Sequence, residues 1–361
     1  MVGVLSDGSF KTEAYSAESK GSTLKLVPIT LKPLGITQVR VKMLMSGLCH
    51  TELHMINNDW GITNFPVVPG HEGIGVVEAV GERVHLVKVG DFVGIGWIRG
   101  SCGACSNCRI GRENICKAGY QGTFLSSNAG IWGKEDNSQH GCFAKHMHIE
   151  EKFAFKIPET FHEELETAAP LMCAGLTVWE PLVDYCKPGT KVGVIALGGL
   201  GHMTVKLAKA IGAEVTVLST SAKKKQAAFD IGANHFVVTT DKDEMKKIMG
   251  QLDLIIDTCP IANDLESSMA ALSIGGSYVR VGIPEAGTSN YSGSYIPLIF
   301  TQKKIVGSIV SGSTNTTTML EIAAAHNIRC EVEVMPFEQI NEAVTRLTKG
   351  EVEKFRIVLK W

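Results

Sequence analysis

Beyond residue 190 the chain settles into an alternation that few folds can satisfy. Apolar runs at 191–197, 214–220, 235–240, 252–258 and 277–282 are separated by helix-like stretches such as 202–212 and 222–232. Strands joined through helices pair in parallel and need both faces covered, so this half predicts an α/β doubly wound parallel sheet. The first run leads into Ala196-Leu197-Gly198-Gly199-Leu200-Gly201 and then a helix. That order sets free backbone N–H groups at a helix N-terminus, where a pyrophosphate is stabilised. A dinucleotide on Gly198, Gly199, Leu200 and Gly201 is the expected ligand. Ala196 stands where the G-x-G-x-x-G pattern has its first glycine, which is expected to tighten the turn. The positions for close phosphate approach and helix packing, Gly198 and Gly201, are kept.

The first half has a different texture. From residue 20 to about 160, short β-type runs such as 38–44, 73–80 and 91–98 are broken by glycine, and 126–139 reads as a polar surface loop. After a last apolar run at 304–310, the amphipathic segments 316–326 and 337–349 and a strand candidate at 355–359 leave the alternating pattern and are expected to return to the first domain. A chain of 361 residues suits two domains. The boundaries are drawn as 1–172 with 312–361 for one and 173–311 for the other. A formal net charge of −2 gives no field that gathers polyanions, and no run of 18 apolar residues occurs. Nucleic acid and membranes are therefore not expected as partners. The first ten residues lack a signal-peptide pattern, so a cytoplasmic location is expected.

Four of the ten cysteines fall in Cys102-x2-Cys105-x2-Cys108-x7-Cys116. Gly103, Ser106 and Gly111 allow the turns that would wrap these thiolates around one tetrahedral zinc with no open position, a site that braces structure and does no chemistry. An iron–sulfur cluster uses the same donors, and four unrelated buried cysteines are the plain alternative.

Three further residues are dispersed but share small, turn-forming neighbours: Cys49, His71 and Cys173. Two thiolates and one imidazole leave a fourth position of a zinc ion open to an alcohol or carbonyl oxygen. Spacing alone also suits three ordinary structural residues. Thr51 and His54 flank the first of them, as a proton path or as a helix cap and a half-exposed surface histidine.

The run Gly70-His71-Glu72-x2-Gly75-x5-Gly81-x2-Val84 resembles the zinc signature of medium-chain alcohol dehydrogenases, and the four-cysteine cluster is similar to that family's structural zinc lobe. The resemblance implies a β-rich GroES-like catalytic domain with both zincs, a Rossmann cofactor domain, and a homodimer. It implies Cys49, His71 and Cys173 as ligands of a catalytic zinc, with Glu72 beside them or replacing the water. It also implies a proton relay through Thr51 and His54, His50 near the cofactor pyrophosphate, and Thr177 near the nicotinamide.

The cofactor is read from an absence. An NAD site carries Asp or Glu at the end of the second strand, where this chain has Ser219-Thr220-Ser221 followed by three lysines, among them Lys224. Hydroxyls and a lysine suit a 2′-phosphate, and the missing carboxylate removes the repulsion that rejects NADP. Ordinary surface lysines are the alternative. The stretch resembles cinnamyl-alcohol-type dehydrogenases, whereas Trp60 and Trp97 resemble the two tryptophans that narrow the pocket of yeast-type enzymes; both are also explained as core aromatics. Gln121 stands where the lignin enzymes carry a tryptophan. The expected function is zinc-dependent interconversion of primary alcohols and aldehydes with NADP(H), on small to medium aliphatic or aromatic aldehydes. A yeast-type NAD(H) enzyme and a specific cinnamyl alcohol dehydrogenase are the alternatives. A zinc-ribbon nucleic-acid module and a crystallin-like structural protein are disfavoured by charge and by the complete ligand set.

Overall fold

A computed structural model describes residues 2–124, 140–261, 264–284 and 295–361, so the loop expected at 126–139 lies outside the described residues. Two units emerge: Met1–Cys173 with Ser311–Trp361, and Ala174–Val310.

In the second unit six strands pair in parallel. Their order is His235–Val238, Glu214–Ser219, Lys191–Ile195, Leu252–Asp257, Leu272–Arg280, Lys304–Gly307. This is the 3-2-1-4-5-6 order of a doubly wound dinucleotide-binding sheet. The first strand ends at Ile195, two residues earlier than the apolar run, because Ala196 takes a left-handed conformation with φ of 68°. The helix begins at Gly199 and stops at Gly212, whose φ of 96° closes it with a left-handed cap. The expected helix at 222–232 is a 3-10 turn, Ala222–Lys224, followed by the short helix Lys225–Asp230.

The first unit is built on a seven-stranded sheet. Gln38–Leu48 lies in its interior, antiparallel to Gly73–Val80, His146–Glu150 and Arg356–Lys360. Arg356–Lys360 in turn pairs in parallel with Val332–Pro336, so the segment after 311 supplies two strands here. A three-stranded sheet containing Phe10–Ser16 and Lys25–Leu31 belongs to the same unit, joined to it where the Tyr15 N–H donates to the Phe143 carbonyl at 2.8 Å and the Ala17 N–H to the Val67 carbonyl at 2.9 Å. The run at 91–98 divides: Phe92–Ile95 joins the large sheet, and Ile98–Gly100 pairs with Gln121–Gly122. The break falls at Gly96 and Trp97, where Thr123 holds the chain; its N–H donates to the Trp97 carbonyl at 2.8 Å and its hydroxyl to the same oxygen at 3.0 Å.

The cysteine lobe is tied to the helix Ser313–Ala325. Glu113, fully buried, accepts from the Ser313 N–H at 2.7 Å and the Ser313 hydroxyl at 2.9 Å, and pairs with Lys152. Its carboxylate thus occupies the favourable end of that helix, as an anion should.

Candidate metal and nucleotide sites

Sheet register brings the dispersed residues together. Ser46 faces Gly73 in the antiparallel pair, so the end of Gln38–Leu48 lies beside the start of Gly73–Val80, with Cys49 following one and His71 and Glu72 preceding the other. Gly70 makes the entry possible: with φ of 106°, a Cβ there would lie 2.7 Å from the Phe143 backbone nitrogen. Cys173 arrives from the 3-10 turn Ala169–Met172. The donor atoms of Cys49, His71, Glu72 and Cys173 all lie within 4.8 Å of one another. His71 Nε2 is 3.0 Å from Cys173 Sγ, which is 3.9 Å from Cys49 Sγ.

Hydrogen bonding from Cys173 and the positive charge of Arg356 hold the Cys49 thiol well below its ordinary range, which favours the thiolate that a metal requires. Glu72 is fully buried, and burial pushes its carboxyl up to about 8 in spite of Arg356, whose Nη2 lies 3.3 Å away. Neither Glu72 oxygen has a hydrogen-bond partner among the described residues. Arg356 offsets the charge of Glu72 without hydrogen-bonding it, so the carboxyl oxygens stay available beside two thiols and an imidazole, and the set fits zinc by donor type.

Two participants escape a reading of the sequence. Glu52, in the first turn of the helix His50–Ile56, receives the Cys49 N–H at 2.8 Å on one oxygen and His71 Nδ1 on the other. It fixes the histidine so that Nε2 faces the thiols. Its spacing of three from Cys49, the helix N-cap, is the signal that could have found it. Arg356 carries no local signal; it reaches the site because Ile357 faces Leu48 in the sheet.

Cys49, not Thr51, is the N-cap, and Thr51 Oγ1 lies 3.6 Å from Cys49 Sγ. His54 Nδ1 is 2.9 Å from Asp59 Oδ2, and its ring stacks on Trp60. Trp97 meets the His71 ring edge-on at 5.3 Å, and Phe124 touches both rings. Trp97 Nε1 donates to the Tyr120 hydroxyl at 3.2 Å. His50 is exposed at the first helical position.

The sulfurs of Cys102, Cys105, Cys108 and Cys116 form a second group within 4.8 Å. Backbone N–H groups, that of Cys108 foremost, lower the Cys105 thiol to about 6. Gly103 and Gly111 take positive φ, 67° and 74°, where the turns require it.

In the second unit, a Cβ on Gly198 would meet nothing within 4 Å, whereas one on Gly201 would lie 2.1 Å from the Ala196 carbonyl oxygen. One glycine leaves open space and the other allows close packing of helix on turn. Gly199 and Leu200 open the helix, and Thr177 is buried in the helix Ala174–Tyr185. Lys224 reaches back to the turn, donating to the Leu197 carbonyl at 2.7 Å. Ser221 caps the turn that carries it, accepting from the Lys223 N–H at 3.3 Å, Ser219 receives the Ser221 N–H at 3.4 Å, and Thr220 is exposed.

Residues 35–159 match the family model of the alcohol dehydrogenase GroES-like domain and residues 199–325 that of the zinc-binding dehydrogenases. Mannitol dehydrogenase of Petroselinum crispum is 42% identical over 328 residues, 90% of this chain and 94% of the relative. This chain belongs to the zinc-dependent medium-chain alcohol dehydrogenases. Among solved structures of these dehydrogenases, a cinnamyl alcohol dehydrogenase of Sorghum bicolor superposes with a TM-score of 0.89 at 35% identity over 97% of each chain. That of Helicobacter pylori, complexed with NADP(H), gives 0.86 at 32% identity, covering 97% of this chain and 98% of the other. As in other zinc-dependent alcohol dehydrogenases, the chain combines a GroES-like domain with a Rossmann-like domain in an oxidoreductase acting on small molecules. No helix among the described residues is long and apolar enough to cross a membrane.

Proposed function

We propose that the protein interconverts primary alcohols and aldehydes with NADP(H), reducing small to medium aliphatic or aromatic aldehydes. The observation that carries this reading is the convergence of Cys49, His71 and Cys173, with Glu72, in one cluster of matching donors, all buried but the half-buried Cys49. A zinc ion held there acts as a Lewis acid toward the alcohol or carbonyl oxygen. Cys49 and Cys173 supply thiolates, Glu52 orients His71, and Arg356 balances Glu72. Thr51 passes the alcohol proton outward, and His54 releases it to water. Asp59 holds His54 at Nδ1, which leaves Nε2 for that exchange. Cys102, Cys105, Cys108 and Cys116 hold a second, structural zinc.

For the cofactor, Ser219, Ser221 and Lys224 gather beside the glycine turn with no carboxylate at the end of Glu214–Ser219, which favours a 2′-phosphate. The Helicobacter pylori relative binds the same nucleotide. Trp60 against His54 and Trp97 against His71 support roles as pocket walls. A cytoplasmic homodimer completes the reading. The edge strand Lys304–Gly307 and the exposed Tyr295, Ile296, Ile299 and Phe300 of the helix Tyr295–Thr301 favour pairing with a second copy. Light scattering of the purified protein tests the dimer.

The deciding experiment measures aldehyde-dependent oxidation of NADPH and of NADH across a panel of aldehydes, before and after metal chelation. Loss of all turnover on chelation and a clear advantage for NADPH are expected. Activity indifferent to zinc overturns the metal assignment, and a large preference for NADH overturns that of the cofactor.

A further inference from the structure

The strands Lys191–Ile195 and Leu252–Asp257 are neighbours in the sheet but not in sequence, and successive strands fan away from this point in opposite directions. In open α/β sheets the ligand crevice lies outside the carboxyl ends of the strands at such a reversal. Ile195 and Asp257, the last residue of each strand, face each other across it. Thr258 closes the gap, its hydroxyl donating to the carbonyls of Ile195 at 2.7 Å and Ala196 at 3.2 Å.

Asp257 is fully buried, which is costly for a carboxylate unless its oxygens are paired. The Cys259 N–H donates to one oxygen at 3.0 Å, while the Tyr278 hydroxyl and Arg280 Nη1 donate to the other. Arg280 faces Asp257 on the neighbouring parallel strand. Further donors reach the described starts of the segments that leave those strands, 258–261 and 281–284: Nη2 reaches the Ile261 carbonyl and Nε the Gly282 carbonyl, each at 2.9 Å. The two segments also approach closely, since a Cβ on Gly282 would lie 2.1 Å from the Cys259 carbonyl oxygen. One planar guanidinium therefore fixes both segments relative to a buried carboxylate, a task that the single ammonium of lysine performs only in part.

The geometry points to Arg280, acting with Tyr278 through Asp257, as a positioning residue for the nicotinamide half of the bound dinucleotide. This rests on the dinucleotide reading of the glycine turn. A doubly wound sheet offers two mononucleotide-binding halves, one on each side of the reversal. Ser219 and Lys224 belong to the half that takes the adenosine moiety, so the segments 258–261 and 281–284 held by Arg280 form the floor of the other. Segments fixed in advance lose less freedom when the ring binds, and that saving appears as affinity.

The test compares the dissociation constants of NADPH and of 2′,5′-ADP, which carries only the adenosine half, for the intact enzyme and its variants. Arg280→Met is expected to weaken NADPH tenfold or more and leave 2′,5′-ADP within twofold. Tyr278→Phe and Arg280→Lys are expected to shift the same ratio by a smaller factor, and they decide the matter if Arg280→Met does not fold. Equal weakening of both ligands, or of neither, overturns the clamp. Each variant is compared with wild type using whichever full dinucleotide wild type binds and its own adenosine half, so a failure of the NADP assignment registers separately.

Discussion

Gly47 stands directly against Glu72: its N–H donates to the Glu72 carbonyl at 2.9 Å, and a Cβ in its place would lie 1.9 Å from Glu72 Oε2. The buried carboxylate occupies the space of a missing side chain. Gly47→Ala should displace it from the proposed zinc ligands, lowering kcat/KM about tenfold or more, with an overpacking cost of about 1 to 3 kcal/mol. Aldehyde kinetics and urea unfolding measure the two effects, and unaltered kinetics would show that the carboxylate position is immaterial.

Glu52 bridges the Cys49 N–H and His71 Nδ1. Glu52→Gln keeps the shape but loses the charge that makes the imidazole a better donor. A carboxylate in this position typically contributes roughly 10-fold to 100-fold in metal affinity. Titration with a competing chelator should show a loss of that size, and an unchanged affinity would separate Glu52 from the metal.

The two thiol groups should respond differently to loss of one sulfur. Cys49→Ser is expected to abolish turnover while the thermal midpoint stays near that of wild type. Cys105→Ser should lower the thermal midpoint first, because a closed four-thiolate site contributes folding energy. Calorimetry and activity on the same samples check this, and a stable, fully folded Cys105→Ser protein contradicts the bracing role.

Ala196 takes a conformation that costs an L residue roughly 1 to 2 kcal/mol. Ala196→Gly removes that strain but adds freedom to the unfolded chain, worth about 0.4 to 1 kcal/mol. A net gain of up to about 1 kcal/mol is expected in urea unfolding, and a clear loss would show that the methyl group packs usefully.

His148 is 8% exposed, and burial, reinforced by the charge of Arg40, pulls its imidazole down to about 4. The unfolded chain binds its proton near pH 6.5, before the folded protein does. Stability from the neutral ring is therefore complete above about pH 6.5 and is lost as the pH falls toward 4. His148→Leu should reduce the stability difference between pH 7 and pH 5 by on the order of 2 kcal/mol. Urea unfolding of both proteins at the two pH values measures it; equal slopes would discount the histidine.

What the sequence made legible follows from how local each signal is. Alternating apolar runs are local, and all five runs between 191 and 282 hold strands of the parallel sheet. The strand Phe10–Ser16 went unread because Lys11, Thr12 and Glu13 interrupt its pattern, although Thr12 is buried and bonded to His146 at 2.9 Å. The four crowded cysteines are visible as a group, whereas Cys49, His71 and Cys173 are joined only through family pattern and sheet register. Glu52 was hidden by looking like any acidic residue in a first helical turn. Arg356 was hidden because 284 residues separate it from Glu72, a distance that only pairing between strands can bridge.

The metal-binding unit is discontinuous, and that sets an order on its birth at the ribosome. Residues 174–310 form one unbroken stretch that can fold while synthesis continues. The proposed ligands at 49, 71 and 173 are all made before it, yet Glu72 waits for the charge of Arg356 and the cysteine lobe for the helix that Glu113 caps. A chain halted after the nucleotide-binding unit would therefore carry a finished cofactor module beside an unfinished metal centre.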